Sequence, residues 1–345
     1  MTSKRGVRPV IAISLGCPSG IGPEVALAAA ARAPEAAVVL VGDRWVVERA
    51  AKLAGVSKRR LVALYDRSSI ERELSKGTIG YWSAAARVST ADARFGRPTP
   101  GTGRAELAWI DQATDLVASG AAGALVTGPV SKHAIAASGG RARRFRGHTE
   151  HLAERLGARD VVMAFWAERL VISLVTTHLP LAKVAKAITP AGVSSAIFLT
   201  AELLRRLGEK RPRIAVAGLN PHAGEQGLLG GEEVAKIGPG ILHAKKRLAR
   251  ARLGAIVEGP IGAETAVRKA HAGAYDAVVA MYHDQATIPM KLVGFGDAVN
   301  VTLGLPIVRT SVDHGTGYDI AGRGVADARG MRAAIELAVR LVTKK

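Results

Sequence analysis

LVISLVTTH, from Leu170 to His178, is an apolar run of strand length that ends on two threonines and a histidine. Two other stretches share its design: RIAVAGLNPH from Arg213 to His222, and DAVVAMYH from Asp276 to His283. Short continuous runs rich in Val, Ile and Ala, bounded by turn residues, read as strands buried on both faces. An open α/β sheet presents its working groups beyond the carboxyl ends of such strands. Imidazole is also the commonest protein ligand for a divalent transition metal. Three strand-end histidines therefore suggest one facial metal site, while any one of them alone is as readily a polar residue on a connecting loop.

Outward from these runs the same alternation continues. VIAISLG near the start, AVVLVGD ending at Asp43, GALVTGPV ending at Val130, VVMAFWA and AVNVTLGLPIVRTS all read as strands. VVMAFWA and LVISLVTT form a neighbouring pair about a bend at Glu168 and Arg169. The intervening stretches are helical. The best marked begins at Thr189, which can cap free amides, with Pro190 at the first helical position and Val193, Ile197, Ala201 and Leu204 on one face. A second runs from Ala105 to Ser119 with Leu107, Ile110, Ala113 and Val117 inward. Strands alternating with helices give the α/β class.

The totals agree. A chain of 345 residues with 48% hydrophobic and 4% aromatic residues builds its interior from aliphatics and has length for two domains. A single cysteine, Cys17, excludes an intrachain disulfide and fits a reducing compartment. No signal peptide and no membrane span are read, so the expected location is the cytoplasm. The net charge of +19 favours anionic partners. Its clusters, at Arg141, Arg143, Arg144 and Arg146 and along Ala244 to Arg252, lack interleaved aromatics and read as solvated faces, so no nucleic-acid partner is expected.

Several motifs carry chemistry. GCPSGIGPE, Gly16 to Glu24, joins a strand to a helix; its glycines suit either a tight turn or a close approach to an anion. It is not a Walker loop, and no G-x-G-x-x-G occurs anywhere, so an ordinary Rossmann site is unsupported. TGPVSK, Thr127 to Lys132, repeats the strand–turn–helix design. In RGHTEH, Arg146, His148 and Thr149 are donors for a carboxylate or phosphate, although Thr149 also suits a helix cap. Lys291, Asn300 and Arg309 leave apolar runs in the last third and make a plausible phosphate clamp. The setting of Lys291 and Arg309 between apolar runs sets them apart from ordinary surface charges.

Taken in order, GCPSGIGPE, TGPVSK, GHTE, TTHLPL, GLNPHAGE, MYHDQ, NVTLGLPIVRTSVDHGT and IAGRG resemble the 4-hydroxythreonine-4-phosphate dehydrogenase family over nearly the whole chain. The resemblance implies a two-lobed α/β/α fold similar to isocitrate and isopropylmalate dehydrogenases. It places residues 1–147 with 303–345 in a first, cofactor-side domain and 148–302 in a second, metal-site domain, with the active site in the cleft between them. It implies that His178, His222 and His283 bind a divalent metal, zinc first and magnesium or cobalt as alternatives. It implies that His148, Thr149, Lys291, Asn300 and Arg309 contact a small phosphorylated amino-acid substrate. Two subunits would complete each site, the first metal histidine coming from the partner of a homodimer. DHGTGYDIAGRG is similar to the adenosine-binding stretch of the isocitrate and isopropylmalate enzymes, which makes His314, Gly315, Thr316 and Asp319 the cofactor residues and favours NAD over NADP.

The implied reaction is NAD-dependent oxidation of 4-phosphooxy-L-threonine followed by decarboxylation, in pyridoxal phosphate biosynthesis. Lys291, Glu264 and Asp284 are the candidate catalytic side chains, with Glu264, Asp284 and a metal-bound water all open as the general base. Departures from the family pattern occur at Cys17, Ser19, Gly262 to Thr265, Ala286, Thr287 and Tyr318; none removes a metal or phosphate ligand. They leave room for a sister enzyme acting on threonate or erythronate 4-phosphate, and less readily for a non-redox metal-dependent lyase.

Overall fold

The computed structural model describes residues 8–75, 77–83, 85–294 and 296–343. Among them are twelve strands: β1 (Val10–Ser14), β2 (Ala37–Val41), β3 (Leu61–Leu64), β4 (Ile79–Trp82), β5 (Ala124–Thr127), β6 (Val162–Ala167), β7 (Leu170–Leu174), β8 (Arg213–Ala217), β9 (Ile256–Ile261), β10 (Ala277–Ala280), β11 (Val299–Leu303) and β12 (Val308–Val312). Helices occupy most of the connections, which makes this an α/β protein. The chain divides into two compact units, Met1–Gly157 with Pro306–Thr343, and Ala158–Leu305.

In the first unit the strands run in the order β3-β4-β2-β1-β5-β12, all parallel. Every residue of β2 and β5 is buried, as expected where helices cover both faces of a parallel sheet. Helix Pro100–Ala118 packs against β1 and β5. It begins five residues before the sequence expectation, because Thr99 and Thr102 cap each other reciprocally and Pro100 occupies the first turn. Its inward face includes Trp109, fully buried with Nε1 donating to the carbonyl of Ala86 at 2.7 Å. Leu107, expected inward, is only half-buried. Helix Arg329–Thr343 packs on β12 and β5 through Met331, Ala334, Ile335 and Ala338. Fully burying an aliphatic side chain contributes about 1.5–3 kcal/mol, so such a face fixes the helix to the sheet.

In the second unit the order is β11-β6-β7-β10-β8-β9. β11, β6 and β7 pair antiparallel in turn, and β7, β10, β8 and β9 pair parallel. The core gathers Ile172, Leu174, Ala215, Ala217, Val278, Ala280 and Met290. Helix Pro190–Leu207 ends as expected: Thr189 Oγ1 accepts from the amide of Gly192 at 3.1 Å, and Gly208 closes it at φ 106°. Among the described residues no single helix is long and apolar enough to cross a membrane.

Two further details differ from the sequence expectations. AVNVTLGLPIVRTS is not one strand: it breaks into β11 and β12, which belong to different units. Helix His148–Leu156, placed by sequence at the start of the second domain, belongs to the first unit. It is tied there to helix Pro100–Ala118: His151 Nε2 lies 2.7 Å from Asp111 Oδ1, and Arg155 donates to Asp115 at 2.6 Å.

Candidate active site

The three histidines of the second unit leave β7, β8 and β10, which are adjacent and parallel, so all three emerge at one carboxyl edge. Local hydrogen bonds stitch these strand ends together. Thr176 Oγ1, beyond β7, donates to the carbonyl of Met281 beyond β10 at 2.7 Å. Gln285 accepts from the amide of Met281 at 2.6 Å and donates to the carbonyl of Gly218, just past β8, at 2.9 Å. The result brings the rings of His178 and His283 to a centroid separation of 5.4 Å, inclined at 41°. His283 Nδ1 lies 2.7 Å from Asp284 Oδ1, which orients the ring. Asp284, one of the candidate bases, is thus engaged in holding a histidine.

Neighbouring imidazoles, one backed by a carboxylate, are a donor set suited to a divalent transition metal. His222 does not join them. Among the described residues of the single chain, no three His, Cys, Asp or Glu side chains gather where they could hold one metal ion. His222 instead sits exposed on a turn in which five consecutive residues, His222 to Gln226, have left-handed backbone with φ from 43° to 77°. Such a conformation costs an L-residue about 1–2 kcal/mol.

The remaining candidates of this unit are dispersed. Lys291 lies in the last turn of helix His283–Val293 and is exposed, beside Ile288 and Leu292, which are exposed too; its apolar flanks in sequence do not bury it. Asn300 is half-buried on β11. Glu264 stands in the first turn of helix Ala263–His271, exposed and bonded to Thr265 at 2.8 Å and Arg268 at 3.0 Å. Those bonds, Thr265 first, hold its carboxyl below the usual range, which makes it a poor base.

The first unit holds the anion-binding candidates. Arg309, on β12, is 3% exposed and donates from Nη2 to Thr127 Oγ1, at the end of β5, at 2.6 Å. Burial pulls its guanidinium down to about 10, opposed by the carboxylate of Glu150. His148 opens the helix His148–Leu156, whose N-cap is Gly147 with no side-chain cap; Thr149 does not cap it. His148 Nε2 is buried without a hydrogen-bond partner. Burial, then the positive charges of Arg309, His151 and Lys132, hold this imidazole well below its ordinary pKa, so it is neutral at pH 7. A fixed guanidinium, a lysine and a neutral imidazole beside an uncapped helix start can bind an anion with several oxygens.

The segment expected from sequence to hold the cofactor lies in the same unit. The carbonyl of Thr316 accepts from the amide of Ile21 at 2.9 Å, and a Cβ on Gly20 would stand 2.5 Å from that oxygen, so only glycine fits. The amide of Cys17 donates to the carbonyl of Pro129 at 2.8 Å. GCPSGIGPE, TGPVSK and the segment around Thr316 thus meet. His314 Nδ1 lies 2.9 Å from the carbonyl of Gly315, its Nε2 is buried without a partner, and Asp319 is exposed. The helix following Gly20 carries Glu24 in its first turn, bonded to the amide of Ala326, so that helix end is already served by a carboxylate.

Sequence reasoning passed over Glu106. This residue is fully buried; Oε2 accepts from the amide of Ser131 at 2.7 Å, and Oε1 is without a partner. Burial pushes its carboxyl up to about 7 against the bond from Ser131. Cys17 lies beside it, Sγ 3.5 Å from the hydroxyl of Tyr318, and both of those groups are raised by burial as well. The available signal was position, for Glu106 falls on the helix face that carries Thr102, Trp109, Ile110 and Ala113.

Comparison with known proteins gives these sites a context. Residues 34–338 match the family model described as "Pyridoxal phosphate biosynthetic protein PdxA". A 4-hydroxythreonine-4-phosphate dehydrogenase from Desulfosudis oleivorans is 44% identical over 96% of this chain and 96% of its own. A relative from Oceanobacillus iheyensis, provisionally named a D-threonate 4-phosphate dehydrogenase, is 37% identical over 98% of this chain and 99% of its own. The crystal structure of 4-hydroxythreonine-4-phosphate dehydrogenase from Klebsiella pneumoniae superposes with a TM-score of 0.82 at 37% identity, covering 97% of this chain and 100% of that one. With a family model spanning most of its length and relatives of this identity matched nearly end to end, the chain belongs to the PdxA family of pyridoxal phosphate biosynthesis.

Proposed function

We propose that this chain oxidises the C3 hydroxyl of 4-phosphooxy-L-threonine with NAD, giving 2-amino-3-oxo-4-phosphooxybutanoate, which loses carbon dioxide to form 3-amino-2-oxopropyl phosphate. The observation that carries this reading is the buried Arg309, fixed by Thr127, with neutral His148 beside it and its Nε2 without a partner. A guanidinium withdrawn from water is suited to a polyanionic group such as a phosphate ester. His148, Thr149, Lys291, Asn300 and Arg309 bind that phosphate and turn remote binding energy into orientation of C3.

His178, His222 and His283 hold the divalent metal, zinc in the first instance, and Asp284 keeps the ring of His283 oriented toward it. His314, Gly315, Thr316 and Asp319 hold the dinucleotide. When bound, the metal supplies Lewis acidity at the alcohol and the later carbonyl, and NAD supplies the hydride acceptor. Glu264, exposed and ion-paired, recedes as a base.

The active form is a homodimer. Nine of the twelve large apolar side chains exposed among the described residues fall in the second unit, Leu181, Leu228, Val234 and Leu292 among them. Exposed apolar surface of this kind supports an interface with a second copy. Within one chain it is His178 that pairs with His283 and His222 that stands apart, so a site completed from two copies takes His222 from the partner rather than the expected His178. The reducing cytoplasm, consistent with a lone buried thiol, is the expected location.

A second reading, a dehydrogenase of D-threonate or D-erythronate 4-phosphate, is favoured by the Oceanobacillus iheyensis relative. NADH formation on the three phosphorylated substrates, with metal-stripped and zinc-restored protein, separates the two. Turnover of the amino acid that requires metal supports the first reading. Turnover of the sugar acids alone establishes the second, and turnover in metal-free protein refutes the Lewis-acid role.

A further inference from the structure

We infer that Glu233 is the positioning residue that holds His222 for ligation, through a carboxylate clamp beneath the left-handed turn. This rests on the reading of His222 as a metal ligand. The turn from His222 to Gln226 contains one glycine, Gly224; His222, Ala223, Glu225 and Gln226 hold φ of 52°, 53°, 43° and 57°. Left-handed backbone in consecutive L-residues persists only where its surroundings over-determine it. Here backbone bonds from the amide of Ala223 to Asn220 at 3.2 Å and from that of Leu229 to Gly224 at 3.1 Å close the turn, and one buried carboxylate lies beneath it.

Glu233 is 4% exposed. Its Oε1 accepts from the amides of both Leu219 and Asn220 at 2.8 Å, and its Oε2 accepts from Asn220 Nδ2 at 3.0 Å. A Cβ on Gly224 would stand 2.6 Å from Oε2, so the turn packs directly on the carboxylate. One acid therefore fixes the backbone entering the turn and the floor under its middle. Glu233 also opens a π-helical turn, Glu233–Ile237, ahead of helix Gly238–Arg250, anchored by the fully buried Ile237. Such wide turns recur at functional sites, where they re-aim a side chain.

The clamped segment is also tied to the helix that His283 opens. The carbonyl of Gly218, one residue before the clamped amides, accepts from Gln285, two residues beyond His283. Displacing the segment 218–220 therefore disturbs the chain leading into His222 and, through Gln285, the start of the helix that carries His283. Glu232 supplies an internal control, because it touches the segment only through Asn220 Nδ2 at 2.9 Å.

The test uses the full-length, metal-stripped protein titrated with Co²⁺ and followed by its visible d–d absorption. Glu233→Gln keeps one acceptor but sets an NH₂ against Asn220 Nδ2, and it should weaken Co²⁺ binding roughly tenfold to a hundredfold and change the band intensity. Glu232→Gln should leave both near wild type. Hydrogen exchange on the metal-free protein should show faster exchange at Leu219 and Asn220 in Glu233→Gln alone. Should Glu233→Gln fail to fold, Glu233→Asp, which withdraws the oxygens by one methylene, carries the same expectation. A folded Glu233 variant with wild-type affinity, where His222→Ala has lost affinity, overturns the clamp. Wild-type binding that His222→Ala leaves unchanged overturns the ligand reading itself, and the role assigned to Glu233 with it.

Discussion

Replacing Glu106 by glutamine removes an ionisation while keeping the shape, and the consequence for stability can be worked from the burial of this one group. Folded, the carboxyl titrates at about 7, against 4.5 for an unperturbed glutamate. Below pH 4.5 it is protonated in both folded and unfolded chains and makes no difference. Between 4.5 and 7 the unfolded chain gives up the proton and the folded one keeps it, so stability falls as pH rises, and above 7 the loss is complete. At 1.36 kcal/mol per pH unit the full loss is about 3 kcal/mol, with no discount for screening because the side chain is fully buried. Urea unfolding of wild type and Glu106→Gln at intervals from pH 4 to 8 measures it, since every other titration cancels in the difference. The variant should gain on wild type by about that amount across the window. A difference between the two proteins that stays flat from pH 4.5 to 7.5 refutes the reasoning, and Glu106 then ionises in the folded protein as easily as in water.

Three further outcomes follow from described contacts. Arg309→Ala should raise KM for the phosphorylated substrate at least roughly tenfold while changing kcat much less; an unchanged KM removes Arg309 from the phosphate contacts. Thr127→Val deletes the 2.6 Å bond to the same guanidinium and should cost about 1.5–3 kcal/mol, the range for hydrogen bonds to charged groups, in denaturant unfolding. Gly20→Ala sets a methyl against the carbonyl of Thr316 and should raise KM for NAD but not for the phosphorylated substrate, which initial-rate kinetics on each can separate.

Where the sequence was legible, a local rule and the tertiary environment asked for the same thing. Thr189 and Pro190 start a helix because the one accepts from a free amide and the other carries none, and β2 and β10 are uniformly apolar because both faces are covered. β3, β4 and β9 were passed over. β3 follows three basic residues and is mostly half-buried, and β9 carries Glu258, Gly259 and Pro260, none of which reads as strand.

The candidate site divides along the same line. That three histidines follow three strands was visible, and so were the pairing order's consequences once β7, β10 and β8 proved adjacent. The left-handed turn at His222 was not, because four of its five residues are not glycine and no local pattern in NPHAGEQG calls for a run of positive φ. Glu106 was missed for the opposite reason: its place on the inward helix face was there to read, but an acid among apolar neighbours looks like an interruption until its burial is seen.

The interrupted composition of the first unit has a consequence for synthesis. β5 ends at Thr127, and its outer partner β12 begins at Val308, after the whole of the second unit has been made. At about 5–20 residues per second, a ribosome needs on the order of ten to thirty-five seconds to cover that distance. Throughout it the nascent chain offers β5, every residue of it apolar or small, as an unpaired edge able to template contact with other chains. Ala158–Leu305, by contrast, is contiguous and can mature as soon as it clears the exit tunnel. Until its partner arrives β5 can be shielded only by contacts from outside the finished fold, and slow codons placed between the two strands would lengthen the exposure.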